Sequence, residues 1–148
     1  MKFTISWLKE YLNTDATTEN IINTLNKIGL EVDGVEFKGE NLKSFNCAYV
    51  EKCENHPDSD HLHVCKVKTA NNNELLNIVC GAPNVRAGLK VILAPCGSVL
   101  PNGTEIKKSK IRGIESNGML CSEKELGIGD DHNGIYEVDD NFEIGTNI

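Results

Sequence analysis

The residues best suited to chemistry lie between positions 56 and 127, in four blocks rich in loop-forming types. They are His56–Leu62 (HPDSDHL), Ile78–Val85 (IVCGAPNV), Val99–Gly113 (VLPNGTEIKKSKIRG) and Ser116–Gly127 (SNGMLCSEKELG). The first concentrates imidazoles and carboxylates, and with His63 and Cys65 it could be drawn as a metal site or as a Ser/His/Asp hydrolytic set. The spacing fits neither: there is no Cys-x-x-Cys, no His-Glu-x-x-His and no Gly-x-Ser-x-Gly elbow around Ser59. The plainer reading is a strand-entry loop in which Pro57 fixes the turn and Asp58 or Asp60 accepts backbone hydrogen bonds. The second block follows an apolar run and turns sharply at Gly81 and Pro83. It has neither Gly-x-x-x-x-Gly-Lys nor Gly-x-Gly-x-x-Gly, so no phosphate cradle is encoded there.

The third block carries Lys107, Lys108, Lys110 and Arg112 within six positions. Cations on a loop neutralise phosphates without reading bases, although such a run is also the ordinary composition of a solvated face. If extended, it puts Lys108, Lys110 and Arg112 on one side and Lys107, Ser109 and Ile111 on the other. The chain is acidic overall, with formal net charge −7, which argues against a polyanion partner until the distribution is considered. Arg86 to Arg112 holds six basic residues (with Arg86 and Lys90) against the single acid Glu105, whereas 114–148 holds nine acids against Lys124. Stacking aromatics are scarce beyond Tyr49 and Tyr136, so any nucleic-acid recognition is expected to be of backbone and shape.

The elements that would position these blocks are short. At 148 residues, 39% hydrophobic and 25% charged, the chain can bury one proper core and a small appendage. The first thirty residues predict two amphipathic helices, one apolar at Trp7, Leu8, Tyr11 and Leu12 and capped by Ser6, the other apolar at Ile21, Ile22, Leu25 and Ile28. Thr17 caps the second and Gly29 ends it. Leu30, Val32, Val35 and Phe37 suggest a short strand, and Gly39–Ser44 reads as a junction. Strands are then predicted at Cys47–Cys53, His61–Thr69, Glu74–Cys80, Lys90–Ala94 and Ile135–Val138, with weaker signals at Val99–Leu100 and Thr104–Ile106. Turns are expected at Asn71-Asn72-Asn73, Pro101-Asn102-Gly103 and His132-Asn133-Gly134, and a capping box at Ser122–Glu125 predicts one helical turn ending at Gly127. A strand list of this kind fits a small barrel and does not separate an OB barrel from an SH3-like one. Six cysteines, spaced singly at 47, 53, 65, 80, 96 and 121 and mostly inside apolar runs, read as free thiols rather than a disulfide framework. No apolar run approaches the roughly 18 residues of a membrane span, and no basic head precedes an apolar stretch. A soluble, cytoplasmic protein is expected.

Taken in order, the four blocks resemble the tRNA-binding OB domain family, as it occurs near the N-terminus of bacterial phenylalanyl-tRNA synthetase beta subunits. Ser116-Asn117-Gly118-Met119-Leu120 matches a segment shared by stand-alone and appended tRNA-binding OB domains. Glu125-Leu126-Gly127-Ile128 followed by Asp130–Gly134, together with Met1–Leu30, narrows the likeness to the synthetase form. The resemblance implies a mainly β fold: an OB-fold, a five-stranded Greek-key barrel, at 40–148, preceded by a two-helix half-domain at 1–39 whose complement lies beyond residue 148. It implies tRNA-Phe as partner, with Asn84, Arg86, Lys90, Lys107, Lys108, Lys110, Arg112 and Ser116 as candidate contacts. It also implies an alpha subunit in an alpha-2-beta-2 ligase, with ATP and magnesium serving catalysis elsewhere and no catalytic or metal residue in this chain. Where the family motif has Ala and Lys, this chain has Ser59 and His61, which removes a cation from the rim. Two other roles fit the residues: a subunit-contact module with little tRNA contact, favoured by net acidity, and a free-standing tRNA-binding OB protein, which the N-terminal helices disfavour.

Overall fold

The run Lys90-Val91-Ile92-Leu93-Ala94 shows no polar alternation because both of its faces are covered. In the computed structural model, which describes residues 1–37, 39–70 and 72–147, Val91 and Leu93 point into one apolar cluster and Ile92 and Ala94 into another. The chain divides into two units, Met1–Phe37 and Lys38–Ile148, and this strand is the spine of the second.

In the second unit the elements are β1 (Asn46–Asn55), β2 (His63–Thr69), β3 (Asn72–Cys80), β4 (Lys90–Ala94), β5 (Ser109–Ile111), β6 (Ile114–Ser116) and β7 (Met119–Leu120), with a 3-10 turn at Glu40–Leu42. Five of them form one antiparallel sheet in the order β3-β2-β1-β4-β7. The sheet curls until its edges nearly meet: Asn117 N–H donates to the Asn77 carbonyl at 2.8 Å, and Val79 N–H donates to Ser116 Oγ at 3.1 Å. This is an OB-like, mainly β barrel. Inward side chains alternate as period two requires, with Val50, Cys65, Val67 and Ile78 fully buried. β1 carries an irregularity between Val50 and Lys52, the kind of bulge that lets a strand bend around a barrel.

A second cluster, around Leu42, Phe45, Leu100, Ile106, Cys121 and Leu126, seals the far side of β4. Leu126 reaches it from a single helical turn, Glu123–Leu126, held by the predicted capping box. Ser122 Oγ accepts from Glu125 N–H, Glu125 Oε2 accepts from Ser122 N–H at 2.7 Å, and Gly127 ends the turn at φ +69°.

Several expectations are corrected. Ile135–Val138 is not a ladder strand: it touches β4 by one bridge, Val91 to Glu137, and is otherwise held by Tyr136 N–H to Cys121 O and Val138 N–H to Lys90 O. The fifth strand of the sheet is instead Met119–Leu120, and Val99 and Glu105 form an isolated bridge rather than strands. The Asn71 tip lies outside the described residues. All six cysteines are free, and four are buried, but Cys96 is exposed. Burial pushes the Cys121 thiol up to about 12 and raises those of Cys47, Cys65 and Cys80, which keeps them as apolar filler rather than nucleophiles.

Within Met1–Phe37, α1 (Ile5–Tyr11) is capped by Thr4, whose hydroxyl accepts from Trp7 N–H at 3.1 Å. Ser6, the expected cap, lies inside the helix. α2 (Thr18–Lys27) is capped by Thr17 as predicted. It ends with Leu30 N–H bonded to Leu25 O and Gly29 N–H to Asn26 O around a left-handed Gly29 at φ +90°. The strand expected at Leu30–Phe37 is absent; an extended stretch becomes a strand only when a neighbour completes its ladder.

Candidate nucleic-acid interface

The basic run folds as a hairpin. β5 and β6 pair Ser109 with Ser116, Lys110 with Glu115 and Ile111 with Ile114, leaving Arg112 and Gly113 as a two-residue turn. Both have positive φ, +49° and +84°, the requirement of a type I′ turn; Gly113 meets it without strain, while Arg112 takes a left-handed conformation rare for a residue with a side chain. Arg112 therefore leaves the strand alternation that would have grouped it with Lys108 and Lys110.

Most of the predicted cations already have partners. Lys107 pairs with Glu105 at 3.2 Å and Lys108 with Glu115 at 3.3 Å, both pairs exposed. Arg86 makes a two-pronged contact with Glu137, 3.0 Å at each oxygen. That hydrogen-bonded pairing holds the Glu137 carboxyl below its usual range and the Arg86 guanidinium above its own. Lys90 Nζ donates to the Asp140 and Phe142 carbonyls, 2.6 Å each. Arg112 Nη1 donates to the Asp58 carbonyl at 2.6 Å. Among the described residues neither Lys110 nor Arg112 has a charged partner: Arg112 is held by a backbone carbonyl alone, and Lys110, which is exposed, makes no hydrogen bond or ion pair.

Two candidates are occupied by structural work. Asn84 staples the Ile135 segment with both ends of its amide: Oδ1 accepts from Ile135 N–H and Nδ2 donates to Ile135 O, 2.9 Å each, and also reaches Glu137 at 3.1 Å. Ser116 is 2% exposed, and its hydroxyl accepts from Val79 N–H and donates to Gly118 O at 3.2 Å, closing the barrel seam. Arg86 and Asn84 meet at Glu137, whereas Lys107 and Lys108 meet Glu105 and Glu115.

Sequence reasoning missed a second set of cations. Register places Lys52 directly opposite Lys66, and Lys68 opposite Tyr49, all on the outward face of β1 and β2. None has an acidic partner among the described residues. Like charges placed opposite each other on a sheet are destabilising by a few tenths of a kcal/mol or more; Glu54, two residues from Lys52 and opposite Val64, shares this face but forms no ion pair with these lysines. Lys66 is in turn opposite Asn77, whose carbonyl receives Asn117 next to β6. The lysine face therefore runs toward the hairpin. The alternation Cys65-Lys66-Val67-Lys68 was the available signal.

A cleft of about 600 Å³ opens on the other side of the hairpin, between Lys107, Ser109 and Ile111 and the His132–Ile135 segment. Among the described residues no three His, Cys, Asp or Glu side chains converge as a metal ion requires. No helix among them is long and apolar enough to cross a membrane.

The family model described as "Putative tRNA binding domain" matches residues 45–147. The chain is similar to the N-terminal regions of phenylalanine-tRNA ligase beta subunits. It is 48% identical over its whole length to that of Paramagnetospirillum magneticum, 49% over 99% of its length to that of Rhodospirillum rubrum, and 47% over 98% to that of Rickettsia bellii. It spans about 17–18% of the length of these relatives. Among solved structures, a MetRS related protein from Pyrococcus horikoshii aligns at a TM-score of 0.48 and 24% identity, covering 70% of this chain and 87% of that one.

Proposed function

The chain belongs to the tRNA-binding domain family, and from that premise we propose that its barrel binds tRNA-Phe by the phosphate backbone as part of a phenylalanine-tRNA ligase beta subunit. The observation that carries the reading is a group of lysines outside any ion pair among the described residues, Lys52, Lys66 and Lys68 on the outward face of β1 and β2, with Lys110 on the hairpin likewise outside one. Cations already free of acids release counterions on meeting phosphate, whereas paired ones must first give up their carboxylates. Tyr49 beside Lys68 offers one ring for an unstacked base. Recognition would be largely independent of sequence, so specificity for tRNA-Phe would come from elsewhere in the ligase. In this reading the chain assists ATP-dependent attachment of phenylalanine in the cytoplasm, within an alpha-2-beta-2 assembly whose ATP and magnesium act in its catalytic part.

The test is binding to tRNA-Phe and to a non-cognate tRNA across a salt series, with two variants: Lys52, Lys66 and Lys68 to Ala, and Lys107, Lys108, Lys110 and Arg112 to Ala. Each free cation lost should lower the log–log salt slope by about 0.7–0.9. The three-residue sheet variant should therefore lose about 2 in slope, and the four-residue hairpin variant less than its charge count implies, with little difference between tRNAs. A folded chain that binds neither tRNA at low salt, or a sheet variant with the wild-type slope, refutes the reading. A second role, protein contact, is favoured by a specific feature: Trp7, Tyr11, Leu12, Ile28, Leu30, Val35 and Phe37 are all exposed in the first unit.

A further inference from the structure

The loop Pro57–Leu62 joins β1 to β2, and the basic hairpin lies in the connection from β4 to β7. They are about fifty residues apart in sequence, yet a closed ring of hydrogen bonds joins them. His56 is 3% exposed. Its Nδ1 lies 3.0 Å from the Asp58 amide nitrogen and its Nε2 lies 3.1 Å from the Ile111 carbonyl. An amide N–H can only donate and a carbonyl can only accept, so the ring is the neutral tautomer with its proton on Nε2. Arg112 closes the circuit by donating to the Asp58 carbonyl at 2.6 Å.

We propose that His56 is a positioning residue for tRNA binding: it tethers the tip of the basic hairpin to the β1–β2 loop and fixes the hairpin lysines relative to the sheet lysines. The proposal rests on the tRNA-binding reading above. Ile111 is the last residue before the turn, so the tether acts at the far end of the hairpin, while Ser116 holds its base against β3. Two three-residue strands have too little ladder to stay ordered alone. Two anchors at opposite ends convert them into a rigid arm. An arm ordered in advance spares the binding step the cost of ordering it. The ring also fixes one guanidinium nitrogen of the exposed Arg112 at the hairpin tip, beside Lys110.

Two conservative substitutions separate this tether from simple loop integrity. In His56→Asn the side-chain oxygen can still accept from the Asp58 amide, as in an ordinary Asx turn, but the side chain is too short to reach Ile111. In His56→Gln the amide donor sits near the place of Nε2 and can keep the Ile111 bond, while the local acceptor is lost. The measurements, made on the whole chain, are tRNA-Phe affinity at fixed salt and backbone ¹⁵N order parameters for residues 109–116. We expect His56→Asn to weaken binding about three- to tenfold and to lower the order parameters across the hairpin, with His56→Gln close to wild type in both. The reverse ranking would mean that only the loop turn matters, and it overturns the proposal, as do two variants that both behave like wild type or both fall alike. If His56→Asn does not fold, Arg112→Gln opens the ring from the hairpin side, and unchanged order parameters there overturn it too. If wild type does not bind tRNA, the underlying reading fails, and the order parameters still decide the tether.

Discussion

Replacing Ser116 by Ala separates a fold-closing role from an RNA-contacting one. Ser116 Oγ is the acceptor for the Val79 amide at the barrel seam, and both residues are buried, at 2% and 8% exposure. Alanine leaves that amide with no partner and no route to water, and deprives Gly118 O of its donor. A buried backbone donor without a partner costs about 1–3 kcal/mol. The neighbouring Asn117 N–H to Asn77 O bond survives, so the seam loosens without opening, and the cost should fall near the middle of that range. With a urea m-value of about 1–3 kcal/mol per molar for a small domain, the midpoint should drop by about 0.7–2 M with the slope unchanged. The assay is urea unfolding of the chain followed by far-UV circular dichroism, paired with tRNA titration under conditions where the variant is folded. The hydroxyl is not at the surface, so affinity of the folded variant should stay within about twofold. An unchanged midpoint refutes the seam argument; a large loss of affinity at an unchanged midpoint would return Ser116 to the RNA surface.

Two further outcomes follow from the same geometry. Gly118 has φ +136°, and a Cβ there would sit 2.9 Å from the Ala94 carbonyl oxygen and 3.1 Å from Leu93 Cδ1. Gly118→Ala should therefore cost more than about 1 kcal/mol, lowering the thermal midpoint by more than about 4 °C in a calorimetric scan. The Glu137 carboxyl is held below its usual value by Arg86 and Asn84. A depressed carboxylate contributes stability that is present above its unfolded value, near 4.5, and is lost as pH falls through the folded value. The thermal midpoint of Glu137→Gln should lie slightly below wild type at pH 6–7 and converge with it as pH drops well below 4.5. The gap is small because the pair is exposed, and a gap that widens on acidification would contradict the sign.

Much of the barrel was legible because its strands are long or doubly buried. β1 to β4 announce themselves by alternation or, in β4, by an unbroken apolar run, and the Ser122–Glu125 capping box is a local signature that needs no tertiary information. What escaped depended on partners distant in sequence. Met119–Leu120 is too short to carry a period, and Ile135–Val138 has strand composition but is held by the Asn84 amide instead of a ladder. Thr4 displaced Ser6 as a cap because several hydroxyls compete at that helix start. At the candidate interface the basic run was visible, but not that Glu105 and Glu115 answer it. Of the lysine face only the alternation Cys65-Lys66-Val67-Lys68 was visible, because Lys52 and Lys66 become neighbours only through a register that a bulge resets. His56 was read as loop composition, with the acceptor role given to Asp58 or Asp60, whereas the imidazole accepts and the Asp58 amide donates.

The acids beside the hairpin lysines act as resident competitors. A phosphate approaching Lys107 or Lys108 must displace Glu105 or Glu115, carboxylates tethered a few residues or one strand away and therefore present at high effective concentration. A lone phosphate or a short, flexible polyanion gains too little from one exchange. A rigid RNA surface that presents several phosphates in register can make the exchanges together. The pairs thus set a threshold rather than an affinity. If these lysines meet phosphate, the pairs would raise the number of simultaneous contacts a polyanion must offer before it is held, and would let an acidic protein bind a structured RNA while remaining indifferent to most of the anions around it.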